Sequence, residues 1–148
     1  VLKPTVKAQR ILATEMDITV RMYDIDFNGH VSNIVYVRWL EDMRMVGFEK
    51  IVPLQACLDK GQVPLLVRTD IRYKRAVKMF DKPKGTIWIA GFRKASFVAE
   101  TEISVDGAVC ADATQTIVFI NEQSGKLIRL PEAVLSRFEE LEVPRLAN

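Results

Sequence analysis

One stretch of the chain concentrates the side chains able to do chemistry: Tyr23-Asp24-Ile25-Asp26-Phe27-Asn28-Gly29-His30-Val31-Ser32-Asn33, which holds the only histidine of the protein. Two carboxylates, an amide and an imidazole so close together are costly to bury unpaired, so they are either solvated on a loop or arranged around a ligand. A carboxylate in such a cluster can serve as a general base or a nucleophile, and an imidazole or amide beside it can orient the reacting group. Other nucleophiles have little support. There is no Gly-x-Ser-x-Gly turn, and Cys57 and Cys110 have neither a neighbouring histidine nor Cys-x-x-Cys spacing, so they read as small core residues.

The same stretch has a metal reading. Asp24-x-Asp26-x-Asn28-Gly29 matches the first half of an EF-hand calcium loop, and Val31 occupies its apolar eighth position. The twelfth position is Val35, where a bidentate glutamate is required, and the residues before Asp24 read as a strand where a helix is required. No metal and no cofactor is therefore expected.

The elements that must position the cluster follow from periodicity. From Thr14 to Tyr23, Met16, Ile18, Val20 and Met22 alternate with polar residues, the pattern of a strand with one buried face. From Ser32 to Gly47, apolar residues such as Tyr36, Leu40 and Met43 recur three and four apart, which predicts a helix with Ser32 as its N-cap and Gly47 as its stop. A short helix is expected between Pro53 and Gly61 and a terminal one over Glu132–Leu141. Four strands are expected over Leu65–Ala76, Thr86–Arg93, Phe97–Val105 and Ala108–Ile120, the last two joined at Asp106-Gly107 by a tight hairpin turn. Strand, long helix, then a run of strands gives an α+β domain in which an antiparallel sheet can wrap the helix.

At 148 residues, 49% hydrophobic and 27% charged, with only 7 glycines and 6 prolines, the chain fits one globular domain over its whole length and excludes disordered and collagenous classes. No apolar run approaches the length that spans a bilayer, so membrane attachment is not expected; Val1-Leu2-Lys3-Pro4 carries no signal-peptide apolar region, and with a first residue other than Met an upstream targeting segment stays open. With no disulfide framework, the expected compartment is reducing and cytoplasmic. The net charge of +2 is too small to suggest nucleic-acid binding. A local excess is hidden within it, since Arg68 to Lys94 holds nine lysines and arginines against two aspartates. It lacks the interleaved aromatics of a single-strand binder. It is either the solvated face of long strands or an attraction for phosphates or an acidic protein surface.

The segment from Tyr23 to Tyr36 resembles the signature of hotdog-fold thioesterases. In the 4-hydroxybenzoyl-CoA thioesterase type, an Asp-x-Asp pair, a short Gly-containing stretch, then Val, Asn and Tyr lead into a long central helix, and the catalytic second aspartate falls on Asp26. The segment is also similar to acyl-ACP thioesterases, whose Asp-x-Asn-x-His set falls on Asp26, Asn28 and His30. Those enzymes carry two hotdog repeats and a further catalytic acid, whereas this chain has room for one repeat. The continuation Val37-Arg38-Trp39-Leu40-Glu41-Asp42-Met43-Arg44 resembles the family's helix. The resemblance implies a hotdog fold with a long central helix wrapped by a curved five-stranded antiparallel sheet, assembled as a homodimer or homotetramer. It implies hydrolysis of an acyl-CoA or acyl carrier protein thioester. A non-catalytic module that binds acyl thioesters and a dehydratase of the same fold are the competing readings.

The physical chemistry agrees with that expectation. Thioester hydrolysis needs a base or nucleophile near the carbonyl carbon and donors aimed at its oxygen. First-turn amides of a helix lack intrahelical acceptors and sit at the positive end of its dipole, so a carboxylate just before a helix meets both needs. The expected catalytic set is Asp26, Asn28, His30 and Asn33. The expected substrate contacts are Ser32, Tyr36, Arg72 and Arg75, the two arginines facing phosphates. For His30 a hydrogen-bonded loop residue, and for Asn28 an ordinary turn residue before Gly29, are the structural alternatives. Asp24 alternates away from Asp26 and reads as structural.

Overall fold

The computed structural model describes residues 9–147. In chain order the elements are β1 (Ile11–Asp17), a 3-10 turn (Met22–Asp24), α1 (Asn33–Ile51), α2 (Leu54–Asp59), β2 (Gln62–Tyr73), β3 (Lys84–Phe92), β4 (Ser96–Val105), β5 (Ala108–Asn121), β6 (Leu127–Ile128) and α3 (Glu132–Glu140). The strands form one antiparallel sheet in the order β1-β3-β4-β5-β2, with the two-residue β6 added to β5. The sheet thus has six strands where five were expected.

The sheet curves around α1. Register shifts in β1 between Ile11 and Thr14, in β3 between Ile89 and Gly91, and in β2 between Leu66 and Arg68 mark β-bulges. Each bulge bends its strand and tightens the local twist. Residues of the inner face, such as Ile87, Ile89, Phe97, Ala99, Ile103 and Ile117, share one core with Val35, Tyr36, Trp39 and Met43 of α1. The Asp106-Gly107 turn is as expected: φ is +50° and +80° at its two residues, the pair of left-handed conformations that matches a two-residue hairpin to strand twist.

Boundaries differ from expectation in β1, α1 and β2, the last running Gln62–Tyr73 where Leu65–Ala76 was expected. β1 begins at Ile11 and stops at Asp17, because residues 18–21 leave the ladder and the chain turns at Met22–Asp24. α1 does not stop at Gly47 but runs to Ile51, ending where Val52 becomes extended ahead of Pro53. Gly47 is instead the point where helix and sheet touch, since a Cβ there would lie 3.0 Å from Ile87 Cγ2. Ser32 occupies the N-cap position, but its hydroxyl makes no capping hydrogen bond.

Two features complete the frame. β2 is an edge strand, exposed along most of its length, with Leu65, Leu66 and Val67 among the large apolar residues left accessible. At the other edge the C-terminal segment covers β3 where β1 ends: the Phe92 amide donates to the Pro144 carbonyl (3.0 Å) and the Leu146 amide donates to the Phe92 carbonyl (2.8 Å). Leu146 sits directly on Gly91, where any side chain would collide with it.

Candidate active site

Asp26 opens a five-residue loop that closes on its own carboxylate. Its Oδ1 accepts hydrogen bonds from the amides of Asn28 (2.9 Å) and His30 (3.2 Å), and its amide donates to the His30 carbonyl (2.8 Å). Gly29 makes this closure possible at φ +77°. The loop is fixed to the connection between β2 and β3 by the Val31 amide, which donates to the Val77 carbonyl (2.8 Å), and by the bridge between His30 and Lys78. Among the described residues, no donor reaches Asp26 Oδ2, so one carboxylate oxygen is held and the other is free.

Asp24 behaves differently. It is 2% exposed, its Oδ2 accepts from the Arg21 amide (2.8 Å), and its Oδ1 accepts from Arg38 Nη2 (3.3 Å). Both of its oxygens are occupied, and its Arg38 pair lies at a separate polar depression that includes Arg21 and Trp39. This matches the structural reading and removes one ligand of the calcium half-loop. Among the described residues, no group of three or more His, Cys, Asp or Glu side chains is placed to hold a metal ion.

Asp26 lines an open cleft of about 550 Å³ together with Asn28, His30, Ser32, Asn33, Tyr36, Tyr73 and Arg75. The start of α1 enters this cleft. With no hydroxyl cap on Ser32 and no acid in its first turn, α1 keeps its first-turn amides and the positive end of its dipole unneutralised by side chains. Asn28, His30 and Asn33 are exposed there, whereas Tyr36 is buried. Burial raises the Tyr36 phenol above its ordinary pKa, with the Val77 backbone opposing the shift, so it is a neutral wall residue at pH 7. Its ring meets Trp39 and Tyr73 edge-on at 5.2 and 5.1 Å.

Tyr73 is the cleft residue that sequence reading missed. Its hydroxyl donates to the Asn33 carbonyl (3.1 Å), tying the end of β2 to the first turn of α1. The available signal was its two-residue spacing from Ile71, which puts it on the helix-facing side of the strand.

The two arginines part company. Arg75 lines the cleft, but Arg72 does not: its Nε donates to Asp112 Oδ1 (3.0 Å), while Lys74 Nζ lies 2.7 Å from Asp112 Oδ2. These contacts, Lys74 first, hold the Asp112 carboxyl below the usual range against an opposing desolvation effect. The cysteines are free and buried, and burial pushes both thiols up in pKa, which removes them as nucleophiles.

Comparison with known proteins gives the family. The profile of the Thioesterase-like superfamily matches residues 20–138. The long-chain acyl-CoA thioesterase FadM of Escherichia coli K12 is 26% identical over 129 residues, covering 86% of this chain and 98% of that protein. Among solved structures, the DHNA-CoA thioesterase of Staphylococcus aureus superposes with a TM-score of 0.80 at 18% identity, covering 88% of this chain and 91% of that one. A Thermus thermophilus thioesterase complexed with coenzyme A and Zn gives a TM-score of 0.76 at 24% identity, covering 94% of this chain and 100% of that one. With the helix-wrapping sheet and the Asp26 cleft on the residues that the profile spans, the chain belongs to the thioesterase-like superfamily as a hotdog-fold thioester hydrolase.

Proposed function

We propose that the protein hydrolyses acyl-CoA thioesters, releasing a free acid and the coenzyme A thiol, at the cleft where Asp26 meets the N-terminus of α1. The observation that carries this reading is the half-committed carboxylate. Asp26 Oδ1 is locked by two backbone amides while Oδ2 remains available beside an uncapped helix end. The amides of that first turn accept the developing negative charge of the carbonyl oxygen. As general base, Asp26 takes a proton from water, the resulting hydroxide bonds to the carbonyl carbon, and the C–S bond breaks as the proton held by Asp26 passes to the leaving thiolate. As nucleophile, it displaces the coenzyme A thiolate, which is protonated by water, to form an acyl anhydride that a second water cleaves to the free acid and the Asp26 carboxylate. Asn28 and His30 orient the water or the thioester, Tyr73 holds the helix end in place, and Arg75 attracts the phosphates of coenzyme A.

Exposed apolar side chains on the β2 edge support assembly as at least a homodimer, in which a second copy walls the cleft. The test of function is thiol release across matched panels of acyl-CoA and acyl carrier protein thioesters. Turnover of acyl-CoA by wild type, lost in Asp26→Asn, supports the reading. Exclusive use of the carrier protein would move the basic stretch around Arg75 from coenzyme phosphates to an acidic protein surface. Binding without turnover would make the chain a ligand module. Label found in the Asp26 carboxylate after a single turnover in ¹⁸O water identifies the nucleophilic route, with water attacking the aspartyl carbonyl of the anhydride.

A further inference from the structure

A second cavity, of about 180 Å³, lies between the C-terminal half of α1 and the inner face of the sheet, closed on the β2 side by Pro64, Leu65 and Leu66. Its walls are almost wholly apolar, including Phe48, Ile87 and Ile117, and it exceeds the roughly 150 Å³ of a dry protein cavity able to hold benzene. Two charged residues interrupt them, Glu41 and, one turn on, Arg44, whose positive charge Glu41 favours without a hydrogen bond or ion pair between them among the described residues. Arg44 places Nη1 out of contact with solvent and without a hydrogen-bond partner, and desolvation lowers the pKa of the guanidinium. A buried donor of this kind costs free energy until an acceptor reaches it.

The cleft and the cavity lie towards opposite ends of α1, and β2 reaches both, with Tyr73 bonded to Asn33 at the cleft and Leu66 on the cavity wall with Phe48. Asn33 to Phe48 is about 22 Å along a helix, and Tyr73 to Leu66 about 24 Å along a strand. Arg44 stands nearer, about 17 Å from the helix start. At about 1.3 Å per carbon, that is the reach of an extended chain of about 13 carbons. The positions Asn33, Val37, Leu40, Arg44 and Phe48, spaced three and four apart, make one stripe of α1 joining the two sites.

Resting on the acyl-thioesterase reading above, we propose that this cavity receives the far end of a long acyl chain and that Arg44 selects chains carrying a hydrogen-bond-accepting oxygen there. A plain methyl terminus fills the apolar space but leaves Nη1 unpaired, whereas a terminal hydroxyl or carboxylate pairs it. Arg44 is in this account a specificity residue with no part in the chemical step.

The experiment compares kcat/KM for octanoyl-CoA, which is too short to reach Arg44, with tetradecanoyl-CoA and its ω-hydroxy and ω-carboxy forms, in wild type and in Arg44→Met. Wild type is expected to favour at least one oxygenated chain over tetradecanoyl-CoA by about tenfold or more. In Arg44→Met that preference vanishes or reverses, while octanoyl-CoA is hydrolysed as in wild type, which shows that the variant is folded. A gain limited to the carboxylate identifies charge pairing, and a gain shared by the hydroxyl identifies the hydrogen bond alone. Equal rates for all three long chains in wild type, or a preference that survives Arg44→Met, overturns the proposal and leaves the thioesterase reading intact. Hydrolysis of none of the four thioesters would overturn that reading instead.

Discussion

At the scale of single residues, Asp26 and Asp24 are two carboxylates with opposite assignments. Asp26→Asn removes the free oxygen's charge but can keep the acceptor that the Asn28 and His30 amides use, so kcat is expected to fall at least about 100-fold with the circular dichroism spectrum unchanged. Asp24→Asn removes the charge of a buried carboxylate paired with the half-exposed Arg38, so it should lower unfolding free energy by about 1 kcal/mol while the folded fraction keeps most of its turnover. Denaturant titration run beside the thiol-release assay checks both. Turnover is also expected to persist in excess EDTA, because Asp24 is committed to Arg21 and Arg38 and Val35 stands where a calcium loop needs its acid. The clustering of Asp26, Asn28 and His30 was legible because they lie within five residues, so local spacing carries most of the loop's geometry. The Tyr73–Asn33 contact joins a strand to a helix far along the chain, and the Asp112 clamp on Arg72 comes only from the register of β2 on β5.

At the scale of elements, the long helix and the four long strands follow directly from apolar periods near 3.6 and 2, while the errors arose where a residue type has two uses. Gly47 ends many helices, but here its missing Cβ lets α1 approach Ile87. Gly47→Leu is therefore expected to destabilise the fold by about 1–3 kcal/mol through overpacking, whatever helix propensity it adds, as a lowered denaturant midpoint would show. The strand pair β2–β5 carries a pH signature. Asp112 titrates below its unfolded value of about 3.9. Its contribution is therefore present above that pH and disappears as pH falls through the lower, folded value. Stability curves of wild type and Asp112→Asn should differ by up to about 1 kcal/mol at pH 7, the scale of an exposed pair, and converge near pH 2.

At the scale of the whole molecule, the sequence conveyed the layered architecture because the order of elements leaves few ways to cover one long helix with consecutive antiparallel strands. The bulges that give the sheet its curvature were not legible, since a bulge depends on how two strands slip past each other. Nor was the short β6. The exposed apolar edge of β2 makes an assembly prediction. Sedimentation equilibrium at micromolar concentration should show a dimer or larger, and Val67→Lys should shift it towards monomer, with thiol release falling in step. A fully active monomer would rule out a shared cleft.

The C-terminal segment has a kinetic implication. Phe92 is the last ladder residue of β3, yet its amide is bonded to Pro144 rather than to another strand. Its exchange with deuterated solvent is thus gated by the lifting of a short terminal strap, whereas the amide of Ile117, deep in β5, is gated by loss of the sheet itself. Native-state hydrogen exchange should therefore divide one continuous ladder into two opening events of different free energy, with the weaker one at Phe92, where β3 meets the tail.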